Sequence, residues 1–306
     1  MNSVLVLALA MGLDAVMGEP RWLWALVPHP AVVMGRLVAA LDRTLNQGEM
    51  QRLKGVLAVL ILVTLAGTIG WVLGQFGSVV TIFVAAILLA QKSLVDHVAA
   101  VATGLRQSNE AGRQAVALIV SRDVSTSDTS ATSRSAIESL SENFSDGVIA
   151  PAFWFLVAGL PGIAIYKAVN TADSMIGYLT PKYAAFGWAA ARLDDALNWI
   201  PARLTSMLIA VVGASTHAWG AIQQDARLHR SPNAGWPEAA MAHTLNIALA
   251  GPRSYHGTVQ DLAWVNGEGR RALGPPDIDA ALAIVWKAWG LALVACACIG
   301  GLVWVF

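Results

Sequence analysis

Between Lys54 and Lys92 the chain carries no charged side chain. That stretch is too long for one membrane span of about 20 residues. Gly74, Gln75, Gly77 and Ser78 interrupt it near the middle, and such residues mark turns. It therefore predicts two antiparallel spans, at about 55–73 and 79–90. Three further uncharged runs follow, at 147–166, 204–224 and 288–306. Only 13% of the 306 residues are charged and 56% are hydrophobic; a soluble domain has about 25% charged residues. The expected class is an all-α polytopic membrane protein with about 4–6 membrane segments. We expect a single domain over 1–306, its polar loops on the cytoplasmic side. The 20 basic and 20 acidic residues cancel, which gives no reason to expect a nucleic-acid partner.

The run 147–166 is unusual. Pro151 lies near its start and Gly159-Leu160-Pro161-Gly162 breaks it. Proline and glycine interrupt helices, so the run is expected to be kinked or re-entrant. Residues 1–13 read as a first membrane helix. The run 288–306 has Trp289 and Trp304 near its ends, as interfacial aromatics do. The shorter stretch 239–251 reads as an interfacial or buried helix, and the Ser/Thr-rich 121–135 as a solvated loop or helix cap. Cys296 and Cys298, two positions apart, point to different helix faces, so neither a disulfide nor a metal site is expected. Basic residues fill the loop before Gly55 and the segment 92–134, while the two ends and the turn near Gly77 have none. The positive-inside rule places those basic segments in the cytoplasm.

Against this apolar background the acids and amides stand out. Ionisable groups at a membrane boundary are costly and tend to mark function. Glu138, Glu142 and Asp146 recur every four residues, with Asn143 among them. Lys167, Asn170 and Asp173 follow the broken run, and Asp194, Asp195 and Asn198 precede the next. Carboxylates and amides without paired histidines suit a hard cation such as Mg²⁺ and its phosphate ligand. We take Glu142, Asp146, Asp194 and Asp195 as the metal candidates, within a catalytic group that adds Glu138, Lys167 and Asp173. Lys167, Arg36, Arg192 and Arg203 are candidate phosphate clamps. The pieces Gly18-Glu19-Pro20-Arg21, Pro28-His29-Pro30 and Gly35-Arg36 read as a rigid polar connection in which His29 can meet a ligand. A second shaped loop, with Asn233, Trp236 and Glu238, could wall a pocket. There is no Walker A sequence, no H-E-x-x-H and no G-x-S-x-G.

The motifs GEPRW…PHPAVVMGR (18–36), SLVDHV (93–98), Arg122-Asp123, AIESLSENFSDGVIAP (136–151), YKAVNTADSMIG (166–177), GWAAARLDDALNWIPARL (187–204), SPNAGWPEAAM (231–241) and GPRSYHG (251–257) run nearly end to end. In this order they resemble the CobD/CbiB family, membrane-bound adenosylcobinamide-phosphate synthases of cobalamin biosynthesis. Two departures are small: the Ser/Thr-rich loop, and Lys92 where arginine is common. The resemblance implies an ATP-dependent amide ligation with Mg²⁺. Adenosylcobyric acid would be joined to an aminoalcohol phosphate, typically (R)-1-aminopropan-2-ol O-phosphate, at the cytoplasmic face of the bacterial inner membrane. It also admits other late cobalamin-pathway membrane enzymes as partners, beside the lipid bilayer. Residue chemistry then suggests Asn143, Asn170, Asn198 and Asn233 as orienting groups, and Trp236 and Tyr255 as stacking surfaces. The competing classes are a Mg²⁺-dependent intramembrane transferase on a diphosphate lipid and a corrinoid transporter. A transporter often has repeated halves with paired broken helices; no repeat is visible.

Overall fold

A computed structural model describes residues 2–120, 122–255, 258–260 and 262–305, with backbone alone at 21, 253–255, 258–260 and 303–305. The helices are α1 (Ser3–Met17), α2 (Arg21–Leu26), α3 (Pro30–Leu45), α4 (Gln51–Gly74), α5 (Ser78–Leu88), α6 (Gln91–Gln107), α7 (Asn109–Val116), α8 (Thr129–Phe144), α9 (Ala150–Ile176), α10 (Trp188–Val212), α11 (Trp219–Ala226), α12 (Gly235–Leu245) and α13 (Pro275–Val305). A π-helical turn, Ser145–Ile149, joins α8 to α9. Strands are few: β1 (Leu249–Ala250) pairs antiparallel with β4 (Trp264–Val265), and β2 (Arg253–Tyr255) with β3 (Thr258–Gln260). Among the described residues, four helical stretches are long and apolar enough to cross a membrane: Gln51–Gly74, Ser78–Gln107, Thr129–Ile176 and Pro275–Leu302. The shorter apolar α1 joins them. The polytopic all-α class holds, within the expected 4–6 segments.

Contacts divide the chain into two units. The first is Met1–Ala90, Ala150–Asn198 and Ala295–Phe306; the second is Gln91–Ile149 and Trp199–Val294. In the first, α4 runs antiparallel to the later part of α9. Ala66 packs with Ala164 and Ala168, while Ala58, Val59 and Leu62 pack with Ala172 and Ile176. The second has its own core, built from α6, α8, α12 and the start of α13, including Val98, Ile137, Phe144, Met241 and Val285.

Several expectations change in detail. The stretch 18–36 is largely helical: α2 starts after Pro20, and α3 starts at Pro30 with His29 as its N-cap. Proline suits a first helical turn because its missing N–H would have no partner there, so the prolines start helices instead of preventing them. The predicted turn at Gly74–Ser78 is present between α4 and α5, but α5 ends at Leu88, and Leu89 is extended. The long terminal helix begins at Pro275, well before the uncharged run. The Ser/Thr-rich segment includes a cap: Asp128 accepts the Ala131 N–H at 2.7 Å and opens α8. The run 147–166 is broken at Ala158 and Gly159, and Gly159 adopts φ 62°, a conformation that favours glycine.

Candidate active site

The polar residues of the first unit gather where α9 meets α10. Tyr166, Asn170 and Asp173, spaced by four and three, share one face of α9. Asp194 and Asn198 share a face of α10 in the same way. The faces touch. Asn170 Nδ2 donates to Asp194 Oδ1 at 3.3 Å, Asn198 Nδ2 donates to Asp194 Oδ2 at 3.0 Å, and the Tyr166 hydroxyl donates to Asn198 Oδ1 at 2.9 Å. Tyr166 and Asn198 are buried, and Asp194 is 9% exposed. The charges of Asp173 and Asp195 both act on Asp194. Like carboxylates in a dry setting need donors, a proton or a cation beside them; here two amides supply part of that need. Asp195 is partly exposed and lies 3.5 Å from Arg192.

His29 is tied to the same unit. Its Nδ1 accepts the Ala31 N–H at 3.1 Å, and Trp24 meets its ring edge-on at 4.5 Å. Burial pushes the imidazole below its ordinary value; Glu19 opposes that shift and Lys167 reinforces it. The ring is thus neutral at neutral pH. Because Nδ1 accepts, the proton sits on Nε2. His29 is therefore set up to donate from Nε2. Glu19 and Arg36 are exposed.

The second unit treats its predicted residues differently. Glu138 is buried in an ion pair with Arg122 at 2.5 Å, and its other oxygen accepts the Ala250 N–H at 2.7 Å. Glu142 and Asn143 are exposed on α8, and Asp146 lies in the π turn. Such turns recur at functional sites because they re-aim side chains within a helix. Asn143 Nδ2 donates back to the Ser139 carbonyl at 2.8 Å. Arg203 lies between Trp199 and Trp236, at 4.8 and 4.6 Å from the ring centres. It donates to Asn233 Oδ1 at 2.7 Å and to the Pro232 carbonyl at 3.2 Å. Arg203, Asn233 and Trp236 thus hold one another and fasten the start of α12 to α10. Glu238 is buried, 3.8 Å from His229. The Tyr255 side chain lies outside the described residues.

Among the described residues, no three His, Cys, Asp or Glu side chains converge as a ready-made metal site. The donors still suit Mg²⁺, which is commonly held by one or two carboxylates together with substrate phosphates. Asp194 and Asp195 in the first unit, and Glu142 and Asp146 in the second, have that chemistry.

The CobD/Cbib protein family model matches residues 7–285. The chain belongs to the CobD/CbiB family. Relatives of this CobD/CbiB protein carry the name "Cobalamin biosynthesis protein CobD". One from Sinorhizobium sp is 49% identical over 93% of this chain and 94% of its own length. One from Brucella anthropi is 46% identical over 94% of both chains, and one from Rhodobacter capsulatus 44% over 96% of both. No solved structure matches this CobD/CbiB protein.

Two participants had no assigned role in the sequence. Tyr166 and Arg122 stand inside the quoted motifs YKAVNTADSMIG and Arg122-Asp123, but spacing could not reveal their partners, 32 and 16 residues away. Asp225, which bonds His243 Nε2 at 2.8 Å and accepts the Asn266 N–H at 2.8 Å, had no signal beyond a histidine in an apolar stretch.

Proposed function

We propose that this CobD/CbiB protein is an ATP-dependent ligase of cobalamin biosynthesis, joining the carboxylate of adenosylcobyric acid to the amine of an aminoalcohol phosphate. The observation that carries this reading is the buried pair Asp194 and Asn198 with half-buried Asn170 bonded to it, and Asp173 and Lys167 on adjoining turns. The names of the relatives support the pathway. Mg²⁺–ATP, when bound, would supply the phosphoryl group that makes a carboxylate a competent acyl donor, with its charge neutralised by the ion. The candidate ion ligands of the first unit are Asp194 and Asp195; Glu142 and Asp146 of the second unit offer the same chemistry there. Lys167, Arg36 and Arg192 would bind phosphate oxygens. His29, protonated at Nε2, would donate to an anionic oxygen and cannot at the same time accept the amine proton. That proton would go to a carboxylate, Asp173 being the nearest to Lys167 along α9. The site would open to the cytoplasm, where ATP is found.

The test is product formation by purified protein in detergent. ATP consumption and adenosylcobinamide phosphate, followed by mass spectrometry, should both require Mg²⁺, adenosylcobyric acid and the amine phosphate. Binding of the corrinoid with no ATP consumption under any of these conditions would favour a carrier and overturn the ligase reading.

A further inference from the structure

We infer that Tyr166 is a positioning residue for Asp194, acting through the side chain of Asn198. The inference rests on the reading of Asp194 as an active-site carboxylate. Tyr166 is fully buried, so it acts on its neighbours and does not itself meet substrate. Asn198 turns its Nδ2 toward Asp194 Oδ2 at 3.0 Å, which leaves Oδ1 on the opposite side. The Tyr166 hydroxyl meets that oxygen at 2.9 Å, and a carbonyl oxygen can only accept, so the tyrosine donates. The order is fixed along the whole chain: Tyr166 O–H to Asn198 Oδ1, then Asn198 Nδ2–H to Asp194 Oδ2. Removing the hydroxyl leaves Oδ1 without this donor and lets the amide rotate. Asp194 then loses a donor of fixed direction. Its other amide contact, from Asn170, is longer at 3.3 Å and less enclosed, so it does not replace the first. Successive bonds in a low-dielectric setting also polarise one another, which makes the terminal bond to Asp194 depend on the first.

The experiment is a double-mutant cycle with Y166F, N198A and the pair of them, read by kcat, KM and thermal unfolding. Y166F should lower kcat by about 10- to 100-fold, the range for groups that orient a metal-ligating side chain, with KM for both substrates nearly unchanged. N198A should cost at least as much. Y166F added to N198A should cost little further in kcat, because the tyrosine reaches Asp194 through that amide. The melting temperatures should show the same non-additivity. If Y166F alone folds poorly, Y166F/N198L removes the first donor and its acceptor together, and also the amide hydrogen bond to Asp194. That pair should melt no lower than N198L alone and still turn over slowly. Wild-type kcat in Y166F or in Y166F/N198L, or fully additive losses, would overturn the inference. D194N separates the two levels. Full turnover in D194N would discard the reading of the site, whereas inactive D194N with normal Y166F would discard only the role of Tyr166.

Discussion

Trp154 and Gly162 are eight residues apart in one run of helical backbone, yet a Cβ on Gly162 would lie 2.1 Å from the Trp154 carbonyl oxygen. In a straight helix those residues would be about 12 Å apart along the axis. The chain therefore folds back at Ala158–Gly159, and the two limbs of α9 touch. Trp154 Nε1 also donates to the Leu197 carbonyl at 3.0 Å, which ties the first limb to α10. Gly159 makes the turn and Gly162 permits the close return, so each glycine has its own reason to be there.

The first prediction follows from that contact. Gly162→Val should destabilise the protein by about 1–3 kcal/mol or prevent folding, as overpacking does. Gly220, which has nothing within 4 Å of an added Cβ, serves as the control. Gly220→Ala should be neutral or slightly stabilising. Thermal unfolding in detergent compares the two, and equal melting temperatures would argue against a tight hairpin.

A chain that folds back within α9 returns Lys182 to the side from which Ala150 came. A single cysteine at Lys182, which is exposed, should therefore resist an impermeant thiol reagent on intact cells and react after lysis. The background would carry Cys296→Ala and Cys298→Ala, which should leave turnover nearly unchanged. Labelling of the Lys182 site from outside would mean that the run crosses the membrane completely.

The acids of α8 should fall into two kinds. Glu138→Ala leaves the largely covered Arg122 without its partner and the Ala250 N–H without its acceptor, and breaking a buried pair costs about 3–5 kcal/mol; the variant should melt lower or fail to accumulate. Glu142→Gln and Asp146→Asn should fold normally and lose most of the proposed ligase turnover, because amides would hold Mg²⁺ poorly. Normal turnover in both amide variants would separate this helix from the proposed metal-nucleotide site.

His29 supplies a pH test. Its folded value lies below the ordinary value of about 6.5, so the unfolded chain binds the proton more readily. Its contribution is complete above about pH 6.5 and is lost as pH falls toward the folded value. His29→Asn keeps a capping oxygen for Ala31 but does not titrate. The drop in melting temperature between about pH 6.5 and pH 5 should be smaller in the variant. An identical drop would remove His29 from the acid response.

Local order was legible in the sequence because helices write it in short periods. The uncharged runs, the turn near Gly77, the break at Gly159 and the four-residue spacing of Glu138, Glu142 and Asp146 all follow from residues within a turn or two of each other. So does the Asp128 cap. The helices of 18–36 were less legible, since proline reads both as a breaker and as a helix start. What only the tertiary structure decided is which polar group meets which. Glu138 belongs to Arg122 and the Ala250 N–H, Arg203 to Asn233 and two tryptophans, and Asn198 to Tyr166. Each side chain carried the same chemistry in the sequence whether it was to bind a ligand or a neighbour. The choice is made by packing: once distant segments are pressed together, a buried donor or acceptor must pair with whatever the fold has placed beside it.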